Sequence, residues 1–418
     1  MRSGSRSARL IAVALGVLVV VDVAVAATAD GGSSHHRSVP ISDRLDDCPT
    51  PSALSGPLPH AGVNIATSSP TFLAMTATGP NDLWVLAAEP GDTAKGRLAH
   101  YDGRSWSVLG VPKIYAAVGI AAPAPDDVWV VGESRTILHW NGTAWSHVAL
   151  PRAPGVELSA VSASGRDNVW IVGHRYGVRL PANSVGSHSL AYHFDGQRWS
   201  IVPTPNPDYS ANLLTDVMAV SKTYTLVAGI SGQDGYTLQW DGRAWHKSLL
   251  PAPAHHPHVS ITGLGMAGIQ PWAVGQTGGP GFGNPVYLKW TGDLWQLVPM
   301  DAIDYNTATP QSISGATPFD VWAAGALNGG QIVLTHFTGH AFNYVDLPLP
   351  ADVEPDAGDL TAVLAFSSTD VWVVGGAVTR PIAACDPNQR NLSLIEHWGG
   401  HSWTPVRIPG IATVSPPG

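Results

Sequence analysis

The piece DVWVVG at 127–132 is not unique in this chain; it returns, with small changes, along most of the length. NDLWVLAA, DNVWIVGH, QPWAVGQ, FDVWAAGA and TDVWVVGG repeat it, with indoles at Trp84, Trp129, Trp170, Trp272, Trp322 and Trp372. The interval from Trp170 to Trp272 is double length, and TYTLVAGI falls inside it with Leu226 and Gly229 at the matching places. Seven copies result. The step is 45 residues from Trp84 to Trp129, 41 from Trp129 to Trp170 and 50 from Trp322 to Trp372. Such steps suit propeller blades and exceed leucine-rich or ankyrin units.

The second half of each copy is an aromatic residue, a Gly turn and another aromatic: HYDGRSW, HWNGTAW, HFDGQRW, QWDGRAW, KWTGDLW, HFTGHAF and HWGGHSW. Each reads as strand, tight hairpin, strand, with Asp-Gly or Asn-Gly supplying the positive φ of the turn. Ahead of each Trp-x-x-Gly runs a small-residue strand, as in LSAVSAS, LTDVMAV and LTAVLAF. Each copy thus offers four short strands, A to D. A lone four-stranded sheet leaves an apolar face bare, whereas sheets stacked radially cover one another. The sequence therefore predicts an all-β fold, a seven-bladed β-propeller of four-stranded antiparallel blades. All 16 Trp fall at three repeat positions, where they are expected to pack between blades and not to serve a ligand.

The pattern resembles the secreted bacterial propellers built on Asp-Val-Trp-x-Val-Gly and His-Trp-Asp-Gly-x-x-Trp, distant relatives of kelch, galactose-oxidase-type and Asp-box propellers. The resemblance covers about residues 70 to 408 and implies a fold without a common activity, because the motif residues are scaffold. An Asp-box has Ser-x-Asp-x-Gly-x-x-Trp, whereas Asp102 and Asp195 directly precede Gly103 and Gly196, so the match is partial. Sialidase chemistry would need an arginine cluster with a Tyr–Glu pair, and no motif assigns either. Galactose oxidase chemistry would need a Cys-modified Tyr at copper.

The first 29 residues differ from the rest. Arg2, Arg6 and Arg9 precede an apolar run from Leu10 to Val21, followed by Ala24-Val25-Ala26 and Ala27-Thr28-Ala29. This reads as an export signal with two small-residue cleavage sites, or as an uncleaved N-terminal membrane anchor, since only Asp22 interrupts the apolar run. Residues 30–69 form a linker, 70–408 the propeller and 409–418 a tail. The folded part is then secreted or extracytoplasmic. In that setting Cys48 and Cys385, the only cysteines, are read as one disulfide tying the chain ends together.

With 22 Lys and Arg against 31 Asp and Glu, and no basic run beside aromatics, the chain lacks the footprint of a nucleic-acid binder. No phosphate loop, nucleophile elbow or zinc-protease helix occurs. His255, His256 and His258 are the best metal candidate, but Pro257 hinders their joint aim and a solvated loop is the plainer reading; no metal or cofactor is expected. The recurring His139, His193, His336 and His397 are read as structural hydrogen-bonders. Asp82, Asp127, Asp320 and Asp370 are read as braces of the A–B turn.

In an up-and-down blade the A–B and C–D turns share one face, and the B–C and D–A connections the other. The first set is short and uniform; the second is long and differs in every blade, which is where binding usually lies. Its aromatic and charged members are Arg175, Tyr176, Arg179, Tyr209, His255, His256, Phe282, Asp304, Tyr305, Arg380 and Arg390. Two classes of function remain. One is a non-enzymatic, monomeric scaffold that binds a glycan or a protein through this face. The other is a polysaccharide-acting hydrolase or lyase with carboxylates such as Glu133 and Asp304 in the central mouth, which would stand about 5–10 Å apart.

Overall fold

The computed structural model describes the chain from residue 71 onward, apart from 90–91, 115, 134, 180–184, 207–210, 254–257, 279–282, 302–307, 328–329, 350–352, 380–390, 412 and 414–418. The repeats read from the sequence occupy 71–110, 117–147, 156–202, 212–249, 259–298, 308–344 and 353–405, and are called repeats one to seven below. In each, four strands pair antiparallel in chain order, A-B-C-D, as blades of the propeller class do. Repeats five and six are further joined by one parallel bridge, Ala267 to Gly315. No helix occurs among the described residues.

The B strand explains the motif. In repeat two, Asp127–Gly132 is buried at every residue, because neighbouring sheets cover both of its faces. A strand covered on both sides reads as a continuous apolar run and not as an alternation. The motif glycine has its own cause: a Cβ on Gly173 would lie 2.1 Å from the Glu157 carbonyl oxygen of the A strand, and one on Gly375 would lie 1.9 Å from that of Asp359. Only glycine lets the two strands approach so closely.

Each pair of successive repeats encloses its own apolar cluster. Trp84 meets Leu138 between repeats one and two, and Trp129 meets Tyr192 between two and three. Trp170 meets Leu238 between three and four, and Leu226 meets Trp295 between four and five. Trp272 meets Phe342, and Trp322 meets Trp403, across the next two borders. Repeat seven then meets repeat one, with Trp372, Val374 and Ile395 against Phe72, Val85 and Ala99. The tryptophans thus pack between sheets, as expected from the sequence.

The A strands of successive repeats lie side by side, and that of repeat seven lies against that of repeat one. Small polar side chains stitch several of these borders. Ser162 Oγ accepts from the Ala219 N–H at 3.0 Å, and Asp216 Oδ2 from the Leu264 N–H at 2.7 Å. Ser312 and Ser314 accept from the N–H groups of Val363 and Ala365, each at 3.1 Å. Thr361 Oγ1 donates to the Phe72 carbonyl at 3.1 Å, across the border between the last repeat and the first.

The C–D turn is the tight hairpin read from the sequence, with the positive φ at its Gly alone. Tyr101 pairs with Trp106 and Trp140 with Trp145, so four residues form each loop. Gly103 and Gly142 hold φ of 85° and 88°, while the residue before each keeps an ordinary φ. The Asp or Asn acts through its side chain instead. Asp102 Oδ1 accepts from the N–H groups of Arg104 at 2.9 Å and Ser105 at 2.8 Å, and Asn141, Asp195 and Asp241 do the same in their repeats.

Candidate functional site

The recurring Asp and His, weighed separately in the sequence, are partners. His100 Nε2–H donates to Asp82 Oδ1 at 2.6 Å, His139 to Asp127 at 2.8 Å, His336 to Asp320 at 2.7 Å and His397 to Asp370 at 2.9 Å. In repeat three Asn168 Oδ1 takes the place of the carboxylate at 2.8 Å from His193. Each imidazole also stacks on the motif indole, as His336 does on Trp322 with ring centroids 3.8 Å apart. These acids therefore brace the neighbouring C strand through histidine, which corrects their reading as braces of the A–B turn backbone. Burial holds the His193 imidazole below its usual value, against the opposing pull of Asp195, so it is neutral at pH 7. A group already paired and stacked is poorly placed to bind or catalyse.

The sequence carried the signal for this pairing. Five repeats hold Asp or Asn two residues before the indole and His before the turn aromatic; repeat four has Tyr224 and Gln239 at these places, and repeat five Gln270 and Lys289. The two positions change together because they touch.

On the connection face, Arg175, Tyr176 and Arg179 belong to the long B strand Asn168–Arg179, which pairs with Val185–Phe194. Tyr176 is 54% exposed and Arg179 is exposed, while Arg175 is half-buried. The Tyr176 N–H donates to the Gly155 carbonyl at 2.8 Å, which pins the hairpin to the incoming D–A connection. Beneath it Tyr192 donates to the Pro151 carbonyl at 3.2 Å, and Arg135 Nη2 donates to the carbonyls of Leu150 and Pro151, both at 3.3 Å. Burial pushes the Tyr192 hydroxyl up, with Arg135 and Arg175 pulling the other way. Three cations, two phenols and the His174–Glu157 pair at 3.3 Å thus gather on one edge of repeats two and three.

Tyr209, His255, His256, Phe282, Asp304, Tyr305, Arg380, Arg390, Cys48 and Cys385 lie outside the described residues. His258 is described, and its Nδ1 pairs with Asp234 at 2.7 Å. No group of three potential metal ligands occurs among the described residues.

Two features escaped the sequence reading. A cleft of about 510 Å³ opens on the turn face, lined by Tyr224, Gln239, Ile269, Gln270, Trp290 and Pro318. Glu396 is fully buried in repeat seven, neither carboxyl oxygen has a hydrogen-bond partner among the described residues, and burial pushes its pKa up to about 8. Its seclusion from solvent gives it a bearing on stability and not on chemistry with a ligand.

With these sheets and borders in place, the fold is that of a β-propeller. No protein-family model matches the chain, and no curated protein matches it either. Among solved structures the chain is similar to a puromycin hydrolase mutant complexed with PGG, at 12% identity and a TM-score of 0.56, covering 84% of this chain and 55% of that one. It is similar to YCF48 bound to D1 peptide, at 15% identity and a TM-score of 0.46, over 74% of this chain and 91% of that one. It is also similar to the fungal Aleuria aurantia lectin, a six-bladed propeller with a fucose recognition mode, at 14% identity and a TM-score of 0.44, over 84% and 99%. Identities this low show the fold alone.

Proposed function

We propose that the chain is an exported seven-bladed β-propeller that binds a glycan or a protein as a non-enzymatic scaffold, through the face of its B–C and D–A connections. Seven blades are supported by the borders described above, the one from repeat seven to repeat one among them. Export is supported by the Arg-flanked apolar run at 10–21.

The observation that carries the binding reading is the difference between the faces. The C–D turns hold one form, four of them capped by their own Asp or Asn. The connection at repeat three instead lifts Tyr176 and Arg179 into solvent on a braced hairpin, with Arg175 behind them. Rigid scaffold beneath and exposed aromatic and cationic side chains above is the arrangement binding loops take on propellers and sandwiches.

Purified protein screened on a glycan array and against a panel of extracellular proteins, with a glycosidase panel beside it, tests the reading. A ligand found this way is expected to bind at least tenfold more weakly to the combined Arg175→Ala, Tyr176→Ala and Arg179→Ala variant, while stability changes by about 0.5 kcal/mol or less per site, as at exposed positions. Loss on changing Arg104 and Arg243 of the C–D turns, with the triple variant unaffected, would move the ligand to the other face. Turnover of a polysaccharide would replace the scaffold with the hydrolase.

A further inference from the structure

We infer that the turn face of repeats four to six carries a second site, separate from the connection face, which receives an uncharged apolar peptide segment of another protein. The site lies where the repeat gives up its Asp–His pair. In repeats one, two, three, six and seven these two positions satisfy each other. In repeat four they are Tyr224 and Gln239, and in repeat five the first is Gln270; all three line the cleft of about 510 Å³, beside Ile269, Trp290 and Pro318.

Their polar atoms are unspent. Among the described residues the Tyr224 hydroxyl and the Gln239 amide have no hydrogen-bond partner, and Gln270 uses only Nε2, donating to the Trp290 carbonyl at 3.1 Å. Donors and acceptors of both kinds therefore face a concavity large enough for a side chain with its flanking peptide groups. A peptide backbone presents alternating N–H and C=O groups that such amides and a phenol can meet.

Much of the lining is apolar: Ile269, Pro271, Trp290 and Pro318. Ile269 is 92% exposed, and Leu294 (57%, next to exposed Asp293) and Phe319 (70%) stand in other turns of the same face in repeats five and six. The same edge of repeats two to four is built differently. There Arg166 pairs with Asp126 and Lys222 with Asp167, one ion pair across each border. Ile269, left in water where repeats two to four carry ion pairs, marks the cleft as a contact site.

The lining has no charged side chain, so a charged segment seated here would be desolvated without a counter-charge, which selects an uncharged one. The indole of the lining, Trp290, offers a sugar no open face to stack on, being 7% exposed and set edge to face with Trp295 at 5.2 Å. Aliphatic side chains and prolines fit the lining of Ile269, Pro271 and Pro318 better.

The test is a titration of full-length protein with labelled, acetylated and amidated octapeptides whose four central positions vary over Leu, Val, Pro, Gln, Lys and Glu, read by fluorescence anisotropy. Uncharged Leu-, Val- and Pro-containing peptides are expected to bind. Their Kd should rise at least tenfold with Ile269→Asp and severalfold with the pair Tyr224→Phe and Gln239→Leu, at unchanged melting temperature, and should not move with the Arg175, Tyr176 and Arg179 triple variant. Parallel arms use neutral oligosaccharides and sedimentation of the protein alone. The inference is overturned if no peptide binds, if Lys- or Glu-containing peptides bind as well, or if binding ignores Ile269→Asp. It is equally overturned if the surface proves to take a sugar, or to pair two copies of the chain.

Discussion

The border between repeats three and four and the border between repeats seven and one are built from the same three rings, yet the chain runs through only one of them. In the first, Trp170 meets Trp240 and Trp245 with centroids 5.7 and 5.3 Å apart. In the second, Trp372 meets Tyr101 and Trp106 at 5.7 and 5.9 Å, although these residues stand near opposite ends of the described chain. Elsewhere a D–A connection adds apolar groups to the border it crosses, as Leu150 and Ala153 do between repeats two and three. No connection follows repeat seven. The segment after it supplies Ile408 and Ile411 to the same cluster instead, and Arg97 Nη1 donates to the Gly410 carbonyl at 3.1 Å. Among the described residues no strand is shared between first and last sheets; a repeated side-chain set and a short tail join them.

If the two borders are equivalent, the largest effects should match. Trp372→Ala and Trp170→Ala are each expected to cost about 3–5 kcal/mol in denaturant unfolding, as loss of a buried indole does. A full cost at Trp170 with little at Trp372 would separate the borders.

Glu396 makes repeat seven unlike the others, which hold Ala99, Leu138, Tyr192, Leu238, Leu288 and Thr335 at the equivalent place. Its folded pKa of about 8 lies above the unfolded value of 4.5. The folded protein therefore keeps a proton that the unfolded chain has released, so the stability is fully present below about pH 4.5 and falls as the pH rises towards 8. The drop is on the order of 5 kcal/mol. Glu396→Gln should flatten most of it, and a slope unchanged in that variant would place the titration elsewhere. Asp216, pushed up to about 6 by burial, and Asp359, also raised, act in the same sense over a lower pH range, and His174 and His193, which burial lowers, in the opposite one, so it is the difference between protein and variant that isolates Glu396.

The tail comes next in size. Ile408→Ala should cost about 2–4 kcal/mol, as Leu150→Ala should at its own border. A neutral result for Ile408 alone would mean that the segment only lies on the surface.

The repeat made much of this legible. Trp84, Trp129 and their counterparts recur because every B strand is covered on both sides, and the glycine three residues later recurs in every repeat but the first, which has Ala87, because an A-strand carbonyl leaves no room for a Cβ. The turn was legible in its Gly, whereas the part of Asp102, which serves its loop through a carboxylate and not through φ, was not. The Asp–His pairing was present as a joint change in repeats four and five, but it shows only when copies are compared column by column. The cleft was hidden for a different reason. Gln239, Gln270 and Pro318 come from three repeats, and no local pattern marks their meeting. Nor could the sequence tell that Ile408 and Ile411, beyond the last motif, would complete the first border.

The closing claim is that repeat seven touches repeat one as any repeat touches its neighbour, and a double-mutant cycle on Trp372 and Trp106 tests it most directly. Ring pairs of this kind couple by about 0.5–1.5 kcal/mol beyond their burial. The cycle is expected to give a coupling in that range, equal within error to the one between Trp170 and Trp245. Additive losses at Trp372 and Trp106, beside a clear coupling at Trp170 and Trp245, would contradict the closed cycle.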